Sequence, residues 1–217
     1  MEKGILIVLS GPSGAGKGTV VKELRKVYSN LAFSVSVTTR QPRDGEINGV
    51  NYHFKTLDEY KEILKEDGFL ETEEVFGNYY GTLKSEVFSK LDKGFDVMLE
   101  IDVKGAMKVK EQYKDVCTIF ICPNSIEVLK SRLAGRGSES EETFKVRCQG
   151  ALGEIKQAEK YDYIVINEDI VDCKNDILAV LKKQKGLDIS QEDEERVERC
   201  LSKNNKDFIE RLTNGGI

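Results

Sequence analysis

Five consecutive apolar residues, Ile5-Leu6-Ile7-Val8-Leu9, begin the alternation of hydrophobic and polar segments along this chain. An unbroken, β-prone run of that length predicts a strand covered on both faces. After a glycine-rich gap, Val20, Leu24 and Val27 recur at helical spacing, so strand, loop and helix follow in order. Asp96–Ile101, Cys117–Ile121 and Tyr163–Ile166 read as further buried strands. Helical stretches at Lys104–Gln112, Ser125–Ala134, Glu141–Lys160 and Ile170–Lys183 separate or follow them. Strands alternating with helices predict an α/β fold in three layers, a parallel central sheet with helices on both faces.

Two regions break the rhythm. Between Phe33 and Tyr80, short strand-like pieces (Phe33–Val37, Tyr52–Phe54, Phe69–Val75, Asn78–Tyr80) surround one helix, Leu57–Lys65. They predict a small, mostly antiparallel insertion of mixed α+β character. Gly135 to Ser140 is a polar, flexible turn between two helices. After Gly186 a charge run, Gln191 to Arg196, is followed by an apolar stripe of Val197, Leu201, Phe208 and Leu212. That stripe predicts a C-terminal amphipathic helix, docked on the core rather than mobile because Phe and Leu left in water would be wasted.

With 217 residues the chain can bury a sizeable core as one domain with inserted subdomains. The formal net charge of −5 argues against general binding to nucleic acid or anionic membranes. No apolar run approaches the length of a membrane span, and no secretory signal is recognisable, so a cytoplasmic protein is expected. Five cysteines, none in a C-x-x-C pair, point to free thiols rather than a disulfide framework or zinc site. A monomer and a homo-oligomer are both compatible with this composition.

The gap after the first strand carries the first chemistry. Ser10 to Val21 reads SGPSGAGKGTVV, with the glycines and lysine of G-x-x-x-x-G-K-[ST]. Gly11, Gly14 and Gly16 let backbone N–H groups curl around an anion, and the helix N-terminus adds its partial positive charge. Lys17 reaches the outer phosphates. Residues Gly11, Pro12, Ser13, Gly14, Ala15, Gly16, Lys17, Gly18 and Thr19 are therefore expected to bind the phosphates of a nucleotide, which the resemblance given below implies is ATP. Gly18 stands where a hydroxyl ligand to Mg²⁺ is usual, with Thr19 one place later. The metal is then expected to rest on phosphates and water, with Thr19 acting indirectly. The variant G-K-G-T resembles that of nucleoside monophosphate kinases.

In the insertion, SVSVTTRQPR places Arg40 and Arg43 three apart around a rigid proline. Planar guanidinium groups suit phosphate oxygens. Taken singly, these arginines and the tyrosines further along are ordinary surface and core residues. Together, GPSGAGKGT, SVSVTTRQPRDGEINGVNYHF, FLE, GNYYGT, LEIDVKG and RLAGRGSESEE closely resemble guanylate kinase, a match running over nearly all of residues 4–183.

The resemblance implies a P-loop core of residues 1–33, 86–130 and 149–185 within a kinase domain of 1–185. It further implies a GMP-binding insertion at 34–85, a helical lid at 131–148, and leaves 186–217 as an extension. Ser36, Arg40, Arg43, Tyr52 and Tyr80 would hold the GMP phosphate. Glu71 would accept from the N1–H and amino group of guanine, Thr82 would face its O6, and Asp102 would lie near the acceptor. Glu100 would stand near the metal and its waters, and Asn167 near the adenine of ATP. Arg132, Arg136 and Arg147 would close from the lid onto the ATP phosphates, joining Lys17 and Arg40 as the catalytic cations.

The implied reaction is ATP + GMP → ADP + GDP, dependent on Mg²⁺, with dGMP as a further acceptor and a place in purine nucleotide metabolism. The nucleophile is a phosphate oxygen already anionic near neutral pH, so no general base is required. What is required is positive charge and exclusion of water. His53, the one histidine, is accordingly read as structural. Base choice follows from donor matching, because adenine has no N1–H for an ionised Glu71. The alternative reading is a catalytically inactive, guanylate-kinase-like module that binds protein partners.

Overall fold

The structure is a computed structural model and describes residues 3–75, 77–134 and 141–214. Its central sheet has five strands in the order β2-β7-β1-β8-β9: β1 (Leu6–Ser10), β2 (Leu31–Phe33), β7 (Asp96–Glu100), β8 (Cys117–Pro123) and β9 (Tyr163–Asn167). The pairs β2–β7 and β8–β9 run parallel. A second sheet has the order β4-β3-β6-β5, from β3 (Val37–Thr38), β4 (His53–Phe54), β5 (Phe69–Val75) and β6 (Asn78–Leu83). By packing, the chain divides into two compact units.

The first unit comprises Met1–Ile7, Asn30–Leu99 and Lys104–Val116. Val37, Tyr60 and Phe69 form the centre of its small core, with Ile63, Tyr79 and Leu83 packed around them. Helix α2 (Leu57–Lys65) begins at a full capping box, in which Thr56 and Glu59 each satisfy the other's backbone N–H. Strands β5 and β6 are antiparallel, as are β3 and β6, whereas β3 and β4 pair in parallel. The strand-like run Phe33–Val37 divides: Leu31–Phe33 joins the five-stranded sheet and Val37–Thr38 the small one. At the division the Val35 N–H donates to the Glu86 carboxylate, 3.1 Å away, instead of to a strand. Glu86 belongs to α3 (Lys84–Asp92), a helix the apolar periodicity does not announce. The same carboxylate lies 3.3 Å from His53 Nε2, an anchoring role for that imidazole.

The second unit comprises Val8–Ser29, Glu100–Val103 and Cys117–Ile217. Every residue of β8 is buried, as a parallel strand covered on both faces requires. The helices of this unit include α1 (Lys17–Val27), α5 (Ile126–Ala134), α6 (Glu141–Ile155) and α7 (Ile170–Gln184), which contribute buried Leu24, Leu129, Leu133, Ile155, Ile177 and Val180. Asp169 caps α7 by accepting the N–H groups of Val171 and Asp172.

The C-terminal segment forms two helices rather than one, α8 (Gln191–Cys200) and α9 (Lys206–Asn214), joined by a 3₁₀ turn at Ser202–Asn204. Val197, Cys200, Ile209 and Leu212 are buried. The buried Asp176 of α7 accepts from Arg196, at 2.9 Å, and from Arg199 of α8. Between the helices, Leu201 bridges Tyr163 of β9, and the Ser202 N–H donates to the Asp162 carbonyl at 3.0 Å. All five cysteines are buried, and none is in a disulfide bond. Among the described residues no helix is long and apolar enough to cross a membrane.

Candidate active site

In the second unit, the loop between β1 and α1 bounds a cavity of about 570 Å³. Gly11, Pro12, Ser13, Gly14, Gly16, Lys17, Gly18 and Thr19 line it, together with Glu100, Asp102 and Glu154. Gly16 enters α1 in the left-handed region at φ 92°, and no side chain caps the helix. The helix also has no acidic residue in its first turn. An N-terminus left uncapped and free of carboxylates keeps its partial positive charge for an anion. The Lys17 ammonium arches over the loop, donating to the Gly11 carbonyl at 2.5 Å and the Pro12 carbonyl at 3.2 Å.

The loop is braced from behind. Ala15 is fully buried, and its carbonyl accepts from Asn167 Nδ2 at 2.7 Å and from Arg132 Nη1 at 3.4 Å. A Cβ on Gly16 would fall 2.4 Å from that same Asn167 nitrogen, so the loop and the end of β9 fit only with glycine there. At Gly18 a Cβ would meet nothing within 4 Å. The missing hydroxyl is therefore a matter of chemistry, not of space.

Asn167 and Arg132 also border a second hollow of about 390 Å³ on the loop, with Gly14, Gly16, Thr19 and Asp169. Asn167, expected at the adenine, has its amide committed to the loop itself. Arg147 is half-buried on α6, and Arg136 lies outside the described residues. Asp102, expected beside the acceptor, lines the loop cavity with the exposed Glu100.

Glu154, on α6, is a member of this cavity that sequence reasoning missed. Its carboxylate accepts the Ser13 N–H, and burial pushes its pKa above the ordinary carboxylate range against the pull of Lys17. In sequence it is one charge among many on a helix; only the fold sets it against the loop. Thr19, Glu100 and Asp102 give this cavity hard oxygen donors of the kind Mg²⁺ accepts. Among the described residues no three His, Cys, Asp or Glu gather into a metal cage.

In the first unit the small sheet builds a second cluster. The register of β5 against β6 sets Glu71 opposite Thr82, and the Thr82 hydroxyl donates to Glu71 Oε1 at 2.6 Å. Both residues are buried. Gly81 between Tyr80 and Thr82 admits the Phe69 ring, which a Cβ there would meet at 2.7 Å. Because side chains alternate along a strand, Tyr80 and Thr82 share one face of β6. Pairing of β3 with β6 sets Thr38 opposite Tyr80 and delivers Arg40 just beyond the strand end.

The Tyr80 and Tyr52 rings meet edge to face, with centroids 6.0 Å apart. The Arg40 guanidinium lies 5.4 Å from the Tyr52 ring and 5.8 Å from that of Phe54. Burial and the neighbouring Tyr80 raise the Tyr52 hydroxyl above its ordinary pKa, so it remains a hydrogen-bond donor. Ser36 is half-buried at the entry to β3, and its carbonyl accepts the His53 N–H. Arg43 is exposed. A second missed residue is Glu46, which forms an ion pair with Arg40. The cluster thus runs from a buried carboxylate with a hydroxyl partner to a cationic, phenol-lined end.

Residues 3–184 match the sequence model of the family described as guanylate kinase. The chain is 51% identical over 185 residues to the guanylate kinase of Clostridium tetani (strain Massachusetts / E88), covering 85% of this chain and 88% of that protein. It is likewise 51% identical over 184 residues to the guanylate kinase of Clostridium perfringens (strain SM101 / Type A), covering 85% of each. The crystal structure of guanylate kinase from Anaplasma phagocytophilum superposes with a TM-score of 0.68 at 34% identity, covering 85% of this chain and 87% of that one.

Proposed function

From the premise that this chain belongs to the guanylate kinase family, we propose that it transfers the γ-phosphoryl group of ATP to GMP, giving ADP and GDP. dGMP serves as a second acceptor, and the reaction belongs to cytoplasmic purine nucleotide metabolism. One observation carries the choice of acceptor. Strand β6 presents, on a single face, Thr82 bonded to the buried Glu71 and Tyr80 beside Arg40 and Tyr52. A carboxylate that accepts from N1–H and an amino group reads guanine. The phenols and arginine, one strand step away, suit a 5′-phosphate.

Each side chain then has a task. Glu71 accepts from the guanine edge; Arg40, Arg43, Tyr52, Tyr80 and Ser36 hold the acceptor phosphate. The uncapped start of α1 and Lys17 hold the ATP phosphates, with Lys17 leaving the loop carbonyls for a phosphate oxygen. Arg132, Arg136 and Arg147 neutralise charge on the transferred group. The nucleophile is an anionic phosphate oxygen, so no side chain need remove a proton, and catalysis is positioning and electrostatics. Mg²⁺ fits beside Thr19, Glu100 and Asp102, and when bound it supplies further neutralisation of the triphosphate. With Gly18 in the loop, no hydroxyl at that position would serve as a direct protein ligand to it.

The test is ADP release from ATP and Mg²⁺ with a panel of nucleoside monophosphates. GMP and dGMP are expected to support turnover, AMP and CMP not. Absence of GMP-dependent turnover in the folded wild-type protein overturns the proposal and favours a binding module.

A further inference from the structure

The Arg40–Glu46 pair is built more tightly than a surface ion pair. Arg40 Nη1 donates to Glu46 Oε2 at 3.0 Å and Nη2 to Oε1 at 2.9 Å, a two-pronged contact. The two side chains are only 15% and 19% exposed. Nη1 also donates to the Gln41 carbonyl at 2.7 Å. The rings of Tyr52 and Phe54 flank the guanidinium, and Tyr80 hydrogen-bonds to it. Glu46 does a second thing at once: Oε2 accepts the Arg43 N–H at 2.7 Å. The Glu46 N–H returns to the Arg43 carbonyl at 3.0 Å, closing the turn through Gly45.

We propose that Glu46 is a positioning residue of the acceptor site, holding the Arg40 side chain and the Arg43 main chain with one carboxylate so that the acceptor phosphate meets both arginines already in place. The proposal rests on the reading of Arg40 and Arg43 as phosphate ligands. Glu46 occupies the end-on edge of the guanidinium, Nη1 and Nη2. A phosphate would meet Arg40 at its side-on edge, Nε and the remaining hydrogen of Nη2, in company with the Tyr80 hydroxyl.

Two effects of Glu46 oppose each other. Its negative charge offsets part of the attraction between Arg40 and a phosphate. Against this, an unheld arginine surrenders rotamer freedom when it is immobilised. The charge is already offset by Arg40 itself and by the Arg43 N–H, while the immobilisation is local and complete. Positioning therefore wins, and removal of the carboxylate weakens acceptor binding.

The experiment is steady-state kinetics on the full chain with Glu46→Gln, which keeps the shape but has one oxygen where two are needed. The KM for GMP is expected to rise about tenfold, equivalent to ~1.4 kcal/mol, while the KM for ATP and the melting temperature hold. Glu46→Asp is expected to fall between the two, and it carries the test if the glutamine variant is too unstable to assay. In an Arg40→Met background, Glu46→Gln should raise the KM for GMP by less than it does alone, because only the hold on the Arg43 main chain is then left to lose. An unchanged or lower KM for GMP, equal shifts in both KM values, or full additivity with Arg40→Met each overturn the proposal. If the wild-type protein shows no GMP-dependent turnover, the underlying reading fails instead, so the two failures are distinguishable.

Discussion

Replacing Thr82 with valine deletes one hydroxyl from the interior of the acceptor cluster and preserves nearly all of its volume. That hydroxyl has a single proton, which it donates to Glu71 Oε1 at 2.6 Å in a pair where Thr82 is 1% and Glu71 8% exposed. Donation to guanine O6, the role the sequence resemblance implies for Thr82, requires that the proton leave Glu71. A hydrogen bond to a charged group contributes about 1.5–3 kcal/mol. For a chain of this length each kcal/mol moves the melting temperature by ~2–4 °C. Thr82→Val is therefore expected to melt about 3–12 °C below wild type, while Thr82→Ser, which keeps the donor, stays closer. Differential scanning calorimetry without nucleotide reads this directly. Adding GMP should recover part of the loss, because guanine brings N–H donors to the same carboxylate, whereas AMP should recover none. A valine variant that melts with the wild type would refute the view that this buried carboxylate depends on its hydroxyl partner.

Other perturbations test other parts of the molecule. Gly16→Ala and Gly18→Ala, two residues apart, should act in opposite directions. The first places a Cβ 2.4 Å from Asn167 Nδ2 at φ 92° and is expected to cost about 2 kcal/mol or more and to weaken ATP binding. The second meets open space in the first turn of α1 and should stabilise by up to ~1 kcal/mol in chemical denaturation. Glu59 is held at about 2 by Lys55 and the Thr56 backbone, against an ordinary 4.5. Its contribution is present above pH 4.5 and lost as pH falls towards 2, so Glu59→Gln should lower the melting temperature at pH 7 and become indistinguishable from wild type near pH 2. Burial pushes the Cys122, Cys173 and Cys200 thiols up to about 12. A thiol-specific chromogenic reagent at pH 8 should find all five cysteines slow to react in the native protein and fast in denaturant.

The core strands and the phosphate loop were legible because their signals are local. A continuous apolar run, a glycine spacing and a 3.6-residue stripe can each be read without knowing what lies opposite. Where contacts are tertiary, the sequence spoke less clearly. Helix α3 buries only Val87 and Leu91 and starts after Leu83 without a side-chain cap, so neither periodicity nor capping announced it. The break between β2 and β3 depends on Glu86, 51 positions from Val35 along the chain. Glu46 and Glu154 look like solvated acids until the fold brings Arg40 to one and the Ser13 N–H to the other. Asn167 was singled out by the family resemblance alone, and its bond to Ala15 spans 152 positions.

Crowded molecules of the same kind meet one another constantly, and an open sheet margin is where backbones of separate copies can zip together. The five-stranded sheet has two such margins, β2 and β9. Strand β2 is only three residues long, too short to offer much of a template. Strand β9 has five residues, but Leu201 bridges Tyr163 at its start and Ser202 takes up the Asp162 carbonyl beside it. The segment beyond the family match thus works as a selvedge at the start of the longer margin, where it covers Tyr163 and the residue before it.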